Sequence, residues 1–235
     1  MADIEQLYQI IRQQIHAAGD AETQARVQQL TSGARTVGMR VPDLRAMARA
    51  FKQAHPALTL AGAADLMDRL CQERWREEIL FGVFLLGRFG RQVAQTPWPR
   101  IVPWTEALDN WETCDQLASN VSGPVVAANL ALVAELLALT ASANLWQRRF
   151  AVATAVELNH KGRSHPEVAL RVCRPLLADP AGMVRKAVGW ALKEASQQDA
   201  EAVLAFLLAH RAEIPAPVRR EAASKLSPAQ REQLN

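Results

Sequence analysis

The sequence predicts an all-α fold built from stacked pairs of helices. Apolar residues recur at spacings of three and four along almost the whole chain, which is the periodicity of amphipathic helices. Alternating β-branched runs between hairpin turns, which would predict strands, do not occur in the sequence. Alanine is abundant, and Gly and Pro stand mainly between the periodic segments. These breaks delimit about ten to twelve helices.

Length and composition predict a single domain over residues 1–235. The chain is 49% hydrophobic and 22% charged, which is an ordinary globular composition, and it is long enough for one continuous helical array. No uncharged apolar stretch reaches the ~18 residues of a membrane helix, and the polar, charged start does not resemble a signal peptide. We therefore expect a cytoplasmic protein that does not contact membranes.

The sequence gives no indication of a disulfide, metal or cofactor site. Cys71, Cys114 and Cys173 lie far apart in helical segments without a CxxC pair, which is typical of reduced structural thiols. His160 and His165 share a loop, but no acids or cysteines stand at ligand spacing from them. The phosphate-binding, dinucleotide-binding and metalloprotease motifs do not occur. We expect neither a cofactor nor a metal.

A weak internal repeat predicts how the helices pair. Similar segments begin at residues 75, 111, 146, 183 and 217, so that their spacings are 36, 35, 37 and 34 residues. This period is typical of paired-helix solenoids of the HEAT, armadillo or TPR kind, in which each pair leaves one helix on a concave surface. The sequence therefore predicts a HEAT-like helical-repeat solenoid.

Basic residues predict a groove for an anionic partner along this solenoid. Nine of them fall within the 46 residues from 148 to 193: Arg148, Arg149, Lys161, Arg163, Arg171, Arg174, Arg185, Lys186 and Lys193. The last three repeats share a basic pair at the start of a helix, namely Arg148-Arg149, Arg185-Lys186 and Arg219-Arg220. Cations at a helix N-terminus oppose the helix dipole and are unfavourable unless an anion lies nearby. The pairs favour a concave basic groove, and helix starts kept soluble by charge are the alternative interpretation.

The segment ALDNWETCDQLASN contains a candidate catalytic carboxylate. Asp109 is expected to cap a helix and Glu112 to complete a capping box, so both acids have structural roles. Asp115 follows Trp111 by four residues, which places the carboxylate and the indole on the same helix face about one turn apart. The pair predicts an aromatic platform beside a carboxylate. Core packing for Trp111 and a surface charge for Asp115 are the alternative.

Two later segments contain an arginine and a tryptophan in comparable helices. Arg149 follows Trp146 by three residues and shares its helix face, whereas Arg148 points elsewhere, so Arg149 is the better candidate for a contact on the concave surface. Trp190 follows Gly189 in the middle of a helix, where glycine costs about 1 kcal/mol relative to alanine. Gly189 therefore predicts the close approach of a ligand or of a neighbouring helix.

The segments NWETCDQ, NLWQRRFA and KAVGWALKE, in this order, resemble the three signature segments of the AlkD-like DNA alkylation-repair family. The similarity continues more loosely upstream through VGMRVPDLRAMAR and ERWREEILFGVFLLGRF. The resemblance implies that Asp115 is the active-site carboxylate and Arg149 the active-site arginine. It also implies that Trp111 and Trp190 border the nucleotide that bears the lesion. Residues 112–114 depart from the family pattern but leave the Trp–Asp pair intact.

The resemblance further implies a monofunctional DNA glycosylase of base excision repair. Its substrates would be cationic alkylated bases in duplex DNA, such as N3-methyladenine and N7-methylguanine. Such a base is a good leaving group, so the enzyme has only to stabilise an oxocarbenium-like sugar and supply a water. Asp115 would do both, Arg149 would hold a backbone phosphate, and the indoles would face the cation. Further contacts with DNA are expected from Arg148, Arg185, Lys186 and Lys193.

We expect the protein to act as a monomer on duplex DNA and therefore to be associated with the nucleoid. Two other functions are compatible with the sequence. A non-catalytic HEAT-like protein that binds DNA structures would keep the groove without excision, although the presence of both Asp115 and Arg149 argues against this loss. A helical-repeat scaffold would instead bind a peptide in the groove. Salt separates the last function from the others, because each phosphate contact contributes a slope of about −0.9 to log affinity against log salt.

Overall fold

The computed structural model describes residues 3–31, 33–160 and 162–234, so that Lys161 of the basic segment lies outside the described residues. All regular secondary structure in these ranges is helical: fifteen α-helices are joined by loops, short 3₁₀ turns and one π turn. This confirms the predicted all-α, helical-repeat fold. The helices outnumber the prediction because π and 3₁₀ turns divide segments whose apolar periodicity is continuous.

The chain divides into two compact units, Met1–Val125 and Val126–Asn235. The single domain over residues 1–235 stays a prediction. The first unit contains α1 (Ile4–Ala17), α2 (Ala21–Leu30), α3 (Val41–Ala54), α4 (Leu60–Cys71), α5 (Arg76–Gly87), α6 (Trp98–Glu106) and α7 (Trp111–Leu117). In this unit α3, α5 and α7 pack side by side in one row, and α1, α4 and α6 form a second row. Every residue of α5 from Arg76 to Leu86 is buried, so α5 is the core of the unit.

A π-helical turn, Ala118–Ser122, continues α7 into α8 (Gly123–Ala128), in which the boundary between the units falls. The second unit then contains α9 (Val133–Leu139), α10 (Leu145–Glu157), α11 (Pro166–Cys173), α12 (Gly182–Ser196), α13 (Ala200–Ala209), α14 (Ala216–Ala222) and α15 (Pro228–Glu232). Here α10, α12 and α14 form one row and α9, α11 and α13 the other. Each unit is therefore built from the helix pairs that the sequence repeat predicts.

A buried carboxylate at the start of α5 fixes the irregular chain that precedes α3. Glu77 Oε2 accepts a hydrogen bond from the backbone N–H of Val37 at 3.1 Å, and Oε1 accepts from that of Met39 at 3.3 Å and from the hydroxyl of Thr36. The Glu77 side chain has no exposed surface, and Arg76 Nη1 donates to it at 2.6 Å. A buried charge is stable when it is paired and hydrogen-bonded in this way. The loop is thereby tied to the core helix.

Arg76 extends the same network to α7. Its Nε donates to Glu112 Oε2 at 2.7 Å, and its Nη1 donates to the carbonyl of Met39 at 3.1 Å. The guanidinium is only 3% exposed, so its attraction to the carboxylates is weakly screened by water. The position of the first turn of α7 therefore depends on a buried ion pair with α5.

The three cysteines are buried, and none of them forms a disulfide. Burial raises the pKa of the Cys71 and Cys173 thiols, which keeps them protonated and unreactive. This agrees with the prediction of reduced structural thiols. Within the described residues no single helix is long and apolar enough to span a membrane, and one bent pair of helices meets the criteria of length and composition only when the two are taken together.

Replacement of Glu77 by Ala should lower the free energy of unfolding by about 3–5 kcal/mol, because a buried guanidinium and the loop N–H groups lose their acceptor. Urea denaturation followed by circular dichroism measures this change. The matched control is Glu73→Ala, which removes the exposed partner of Arg35 and should cost less than about 1 kcal/mol. Equal losses in the two variants would contradict the role of the buried network.

Candidate functional site

The candidate carboxylate Asp115 is half-buried and lies in the second turn of α7. The helix begins at Trp111, so Asp115 is its fifth residue and lies one turn further along. The Trp111 indole is also half-buried, and its Nε1 donates a hydrogen bond to the backbone carbonyl of Leu30 at 2.9 Å. Leu30 is the last residue of α2, and 60% of its surface is exposed. Trp111 is thus anchored at the protein surface instead of being enclosed in the core.

The first turn of α7 is capped differently from the prediction. Asn110 is the N-cap, and its Oδ1 accepts from the backbone N–H groups of Glu112 at 3.0 Å and Thr113 at 3.1 Å. The predicted cap Asp109 is wrong, because its carboxylate instead accepts from the Asn110 side-chain amide at 2.7 Å. Glu112 does not complete a capping box but pairs with Arg76 at 2.6 Å. With Asn110 as the N-cap, Glu112 stands at N2 and not at the N3 position that a capping box requires, so its carboxylate is available for the ion pair.

Arg149 occupies the fifth position of α10, as Asp115 does in α7. The helix begins at Leu145, and Arg149 is only 6% exposed. Its Nη1 donates to the carbonyl of Met183, in the first turn of α12, at 2.6 Å. The neighbouring Arg148 has other partners, since its Nε and Nη2 donate to the Asp179 carboxylate at 2.6 and 3.0 Å. The two arginines therefore have separate surroundings, as their helix faces predict.

The first arginine of each basic pair is bound to the loop that precedes its own helix. These arginines are the fourth residues of α10, α12 and α14. In each case Nη1 donates to two backbone carbonyls: those of Ser142 and Ala143 for Arg148, of Asp179 and Pro180 for Arg185, and of Arg211 and Ile214 for Arg219. These carbonyl dipoles offset the unfavourable position of a cation at a helix start. The loop carbonyls therefore supply the negative partner that a cation at a helix start requires.

The candidate DNA-binding residues of α12 differ in how accessible they are. Lys186, the fifth residue of α12, is exposed. Trp190 follows it by four residues on the same helix face and is half-buried, with its ring 6.3 Å from that of His160. Lys193 Nζ donates to Glu221 at 2.7 Å, so its charge is largely compensated within the protein. Of the lysines predicted to contact DNA, Lys186 is the more accessible.

A cleft of about 590 Å³ lies between α12 and α14 in the second unit. Arg185 and Lys186 line one side of the cleft, and Glu221 lines the other. A Cβ atom at Gly189 would lie 3.2 Å from two carbons of the Glu221 side chain and 3.4 Å from the Val218 carbonyl. Of the two explanations for this helix-interior glycine, the structure supports the close approach of a neighbouring helix.

Asp115 and Arg149 occupy equivalent positions in their helices, but the alignment of the repeat segments in the sequence does not show this equivalence. The first unit contains Trp111 and Asp115, and the second contains the other candidates, which are Arg148, Arg149, Arg185, Lys186, Trp190 and Lys193. Trp111 is the first residue of α7, whereas Trp146 is the second residue of α10, so an alignment anchored on the tryptophans shifts Asp115 by one position. Asn110 and Asn144, which both cap their helices, are the sequence signal that would have set the register.

Among the described residues, no group of three or more His, Cys, Asp or Glu side chains is placed to hold a metal ion.

A sequence model of a family described as DNA alkylation repair enzyme matches residues 11–226 of this chain. The chain belongs to the DNA alkylation repair family. The match includes all the candidate site residues named above. It confirms the resemblance that the three signature segments indicate.

A solved structure supports the same fold. It is described as a predicted DNA alkylation repair enzyme from Enterococcus faecalis, and it is 17% identical to this chain with a TM-score of 0.73. The similarity covers 89% of this chain and 97% of the other. At this identity the likeness shows that the two proteins share a fold. A search of curated protein sequences gave no significant match.

The capping of α7 can be tested by substitution. Asn110→Ala should lower the free energy of unfolding by about 1 kcal/mol, because the N–H groups of the first turn lose their side-chain acceptor. Asp109→Ala should cost less, since Asp109 contacts only the Asn110 amide in this turn. Urea denaturation of both variants measures the difference. A larger loss for Asp109→Ala would restore Asp109 as the cap.

Proposed function

We propose that this protein is a DNA glycosylase that hydrolyses the N-glycosidic bond of cationic alkylated bases, such as N3-methyladenine and N7-methylguanine, in duplex DNA. Its membership of the DNA alkylation repair family is the observation that carries the proposal. The helix positions support it, because Asp115 and Arg149 both stand at the fifth residue of a helix whose first turn is tied down by capping and ion pairs. A monomer that acts on cytoplasmic, nucleoid-associated DNA is part of the proposal.

The chemistry needs little more than one carboxylate. As the C1′–N bond breaks, its electron pair leaves with the base, which becomes neutral, and positive charge develops on the sugar. Asp115 stabilises this charge and accepts a proton from the water that adds to C1′. The half-buried position of Asp115 suits this role, because partial removal from solvent strengthens its attraction for a cation while substrate can still reach it.

The other candidate residues bind and orient the DNA in this proposal. Arg149 keeps a phosphate near the lesion, and its bond to the Met183 carbonyl holds the guanidinium in one orientation. Trp111 and Trp190 present indole faces to the cationic nucleotide, in contacts worth about 0.5–2 kcal/mol each. Lys186 supplies an exposed charge for the DNA backbone. Arg148, Arg185 and Lys193 add weaker contacts, since each already has partners in the protein.

Release of methylated bases tests the proposal directly. The purified protein should release N3-methyladenine and N7-methylguanine from methylated duplex DNA. Asp115→Asn, which removes the charge and keeps the shape, should lower the excision rate by at least about 100-fold with little change in DNA affinity. Chromatography of the released bases and fluorescence anisotropy measure the two quantities. Binding without release by the wild type would instead identify a non-catalytic DNA-binding protein.

The two adjacent arginines should separate by function. Arg149→Ala should reduce both excision and DNA binding, and Arg149→Lys, which keeps the charge but loses the planar fork, should recover part of the binding. Arg148→Ala should leave more activity and mainly lower stability, because Arg148 joins Asp179 to the loop before α10. Excision rates beside thermal unfolding of all three variants distinguish these effects. Equal loss of excision in Arg148→Ala and Arg149→Ala at equal stability would refute the assigned register.

A further inference from the structure

Three arginines surround a small cleft in the first unit, apart from the residues that the sequence singled out. The cleft has a volume of about 130 Å³ and is lined by Arg45 and Arg49 of α3, by Phe84, Gly87 and Arg88 at the end of α5, and by Asn120 of the π turn. Pockets for drug-sized ligands are larger, at roughly 300–1,000 Å³. The dimensions of this cleft suit a single small group instead of a whole nucleotide.

The positive charge of the cleft is not compensated by carboxylates. Arg45, Arg49 and Arg88 are exposed, and no ion pair joins any of them to an acid within the described residues. Several other arginines of the same unit, though not all, are paired with acids, among them Arg35, Arg40, Arg69, Arg76 and Arg100. Three like charges around one cleft repel each other and create a positive potential that attracts an anion. The composition of the lining therefore favours an anionic ligand.

Arg45 is held in place before any ligand binds. Its guanidinium carbon lies 4.2 Å from the centroid of the Phe84 ring, and its Nη2 donates to Gln116 Oε1 at 2.8 Å. The same oxygen accepts from Asn120 Nδ2 at 3.1 Å. A guanidinium has five N–H donors, so the stacked and hydrogen-bonded group retains donors for a ligand. Little conformational entropy is then lost when the ligand binds.

A glycine and a π turn shape the lining of the cleft. A Cβ atom at Gly87 would lie 3.3 Å from Asn120 Oδ1, which is closer than ordinary contact, so glycine lets α5 approach the π turn at this point. Asn120 also donates to the Gln116 carbonyl at 2.8 Å, which fixes its side chain. Single π turns inside α-helices are frequent at functional sites. Here the turn places Asn120 in the lining of the cleft.

We propose that this three-arginine cleft binds a phosphodiester group of the DNA and thereby positions the duplex for Asp115. Guanidinium groups match phosphate oxygens in geometry as well as in charge. Gln116, the residue directly after Asp115, accepts hydrogen bonds from both Arg45 and Asn120 in the lining of the cleft. A phosphate in the cleft would therefore lie close to the nucleotide at the carboxylate. The positioning part of this inference rests on the proposed glycosylase function, whereas the phosphate contact does not.

The salt dependence of DNA binding tests the phosphate contact. The protein and its Arg49→Gln/Arg88→Gln variant are titrated with an unmodified duplex oligonucleotide at several KCl concentrations, with fluorescence anisotropy as the readout. The double variant should bind more weakly, and its slope of log affinity against log salt should shrink by about 1, the value for one lost phosphate contact. Neither side chain has a bonded partner among the described residues, so the fold should persist. The single variants, with smaller shifts, replace the double variant if it does not fold.

The matched control is Arg40→Gln, an exposed arginine of the same unit that is paired with Asp43 at 2.8 Å. Its salt slope should equal that of the wild type. An unchanged slope in the double variant, or an equal decrease in the control, would overturn the phosphate site. Single-turnover excision at saturating protein tests positioning, and it should be slower in the double variant. If the wild type releases no base but the slope still decreases, the phosphate site stands and the proposed glycosylase fails.

Discussion

The positions of Asp115 and Arg149 depend on how the first turns of their helices are fixed. Asp115 is located by the Asn110 cap and by the buried ion pair of Glu112 with Arg76. Arg149 is located by the Asn144 cap and by the neighbouring Arg148, which reaches back to the preceding loop. Side chains near a helix start move with that start, so these contacts set the geometry in which the chemistry takes place.

The two units fix the first turns of their helices with different interactions. In the first unit a largely buried network centred on Arg76 and Glu77 joins a loop to two helices. Its electrostatic attractions are strong because burial reduces their screening by water. In the second unit Arg148, Arg185 and Arg219 bind backbone carbonyls of the loops that precede their own helices. This arrangement recurs at α10, α12 and α14, and it does not involve the second basic residue of each pair. The first arginine of each basic pair thus has a structural role as well.

The proposed reaction needs little catalytic machinery. A cationic base leaves readily, so a carboxylate at the right place and a firm hold on the DNA backbone are sufficient in principle. In the proposed phosphate contact, the three arginines around the cleft at Asn120 extend that hold to the first unit, where the sequence motifs place only Trp111 and Asp115. Binding energy from a remote phosphate can be used to position the lesion, which connects the proposed cleft to the proposed reaction.

The helical class, the repeat, the buried thiols and the family can all be predicted from the sequence, because these follow from periodicity, spacing and motifs that are local in the chain. The capping of α7 by Asn110 and not Asp109 could not be predicted in this way, since it depends on the folded chain, in which Arg76 binds Glu112 from 36 residues away. Likewise, the reason for Gly189 lies on α14, and Arg45, Arg49 and Arg88 form one cleft only because α3 packs on α5. Such contacts join residues that are distant in the chain, and periodicity carries no information about which of them meet.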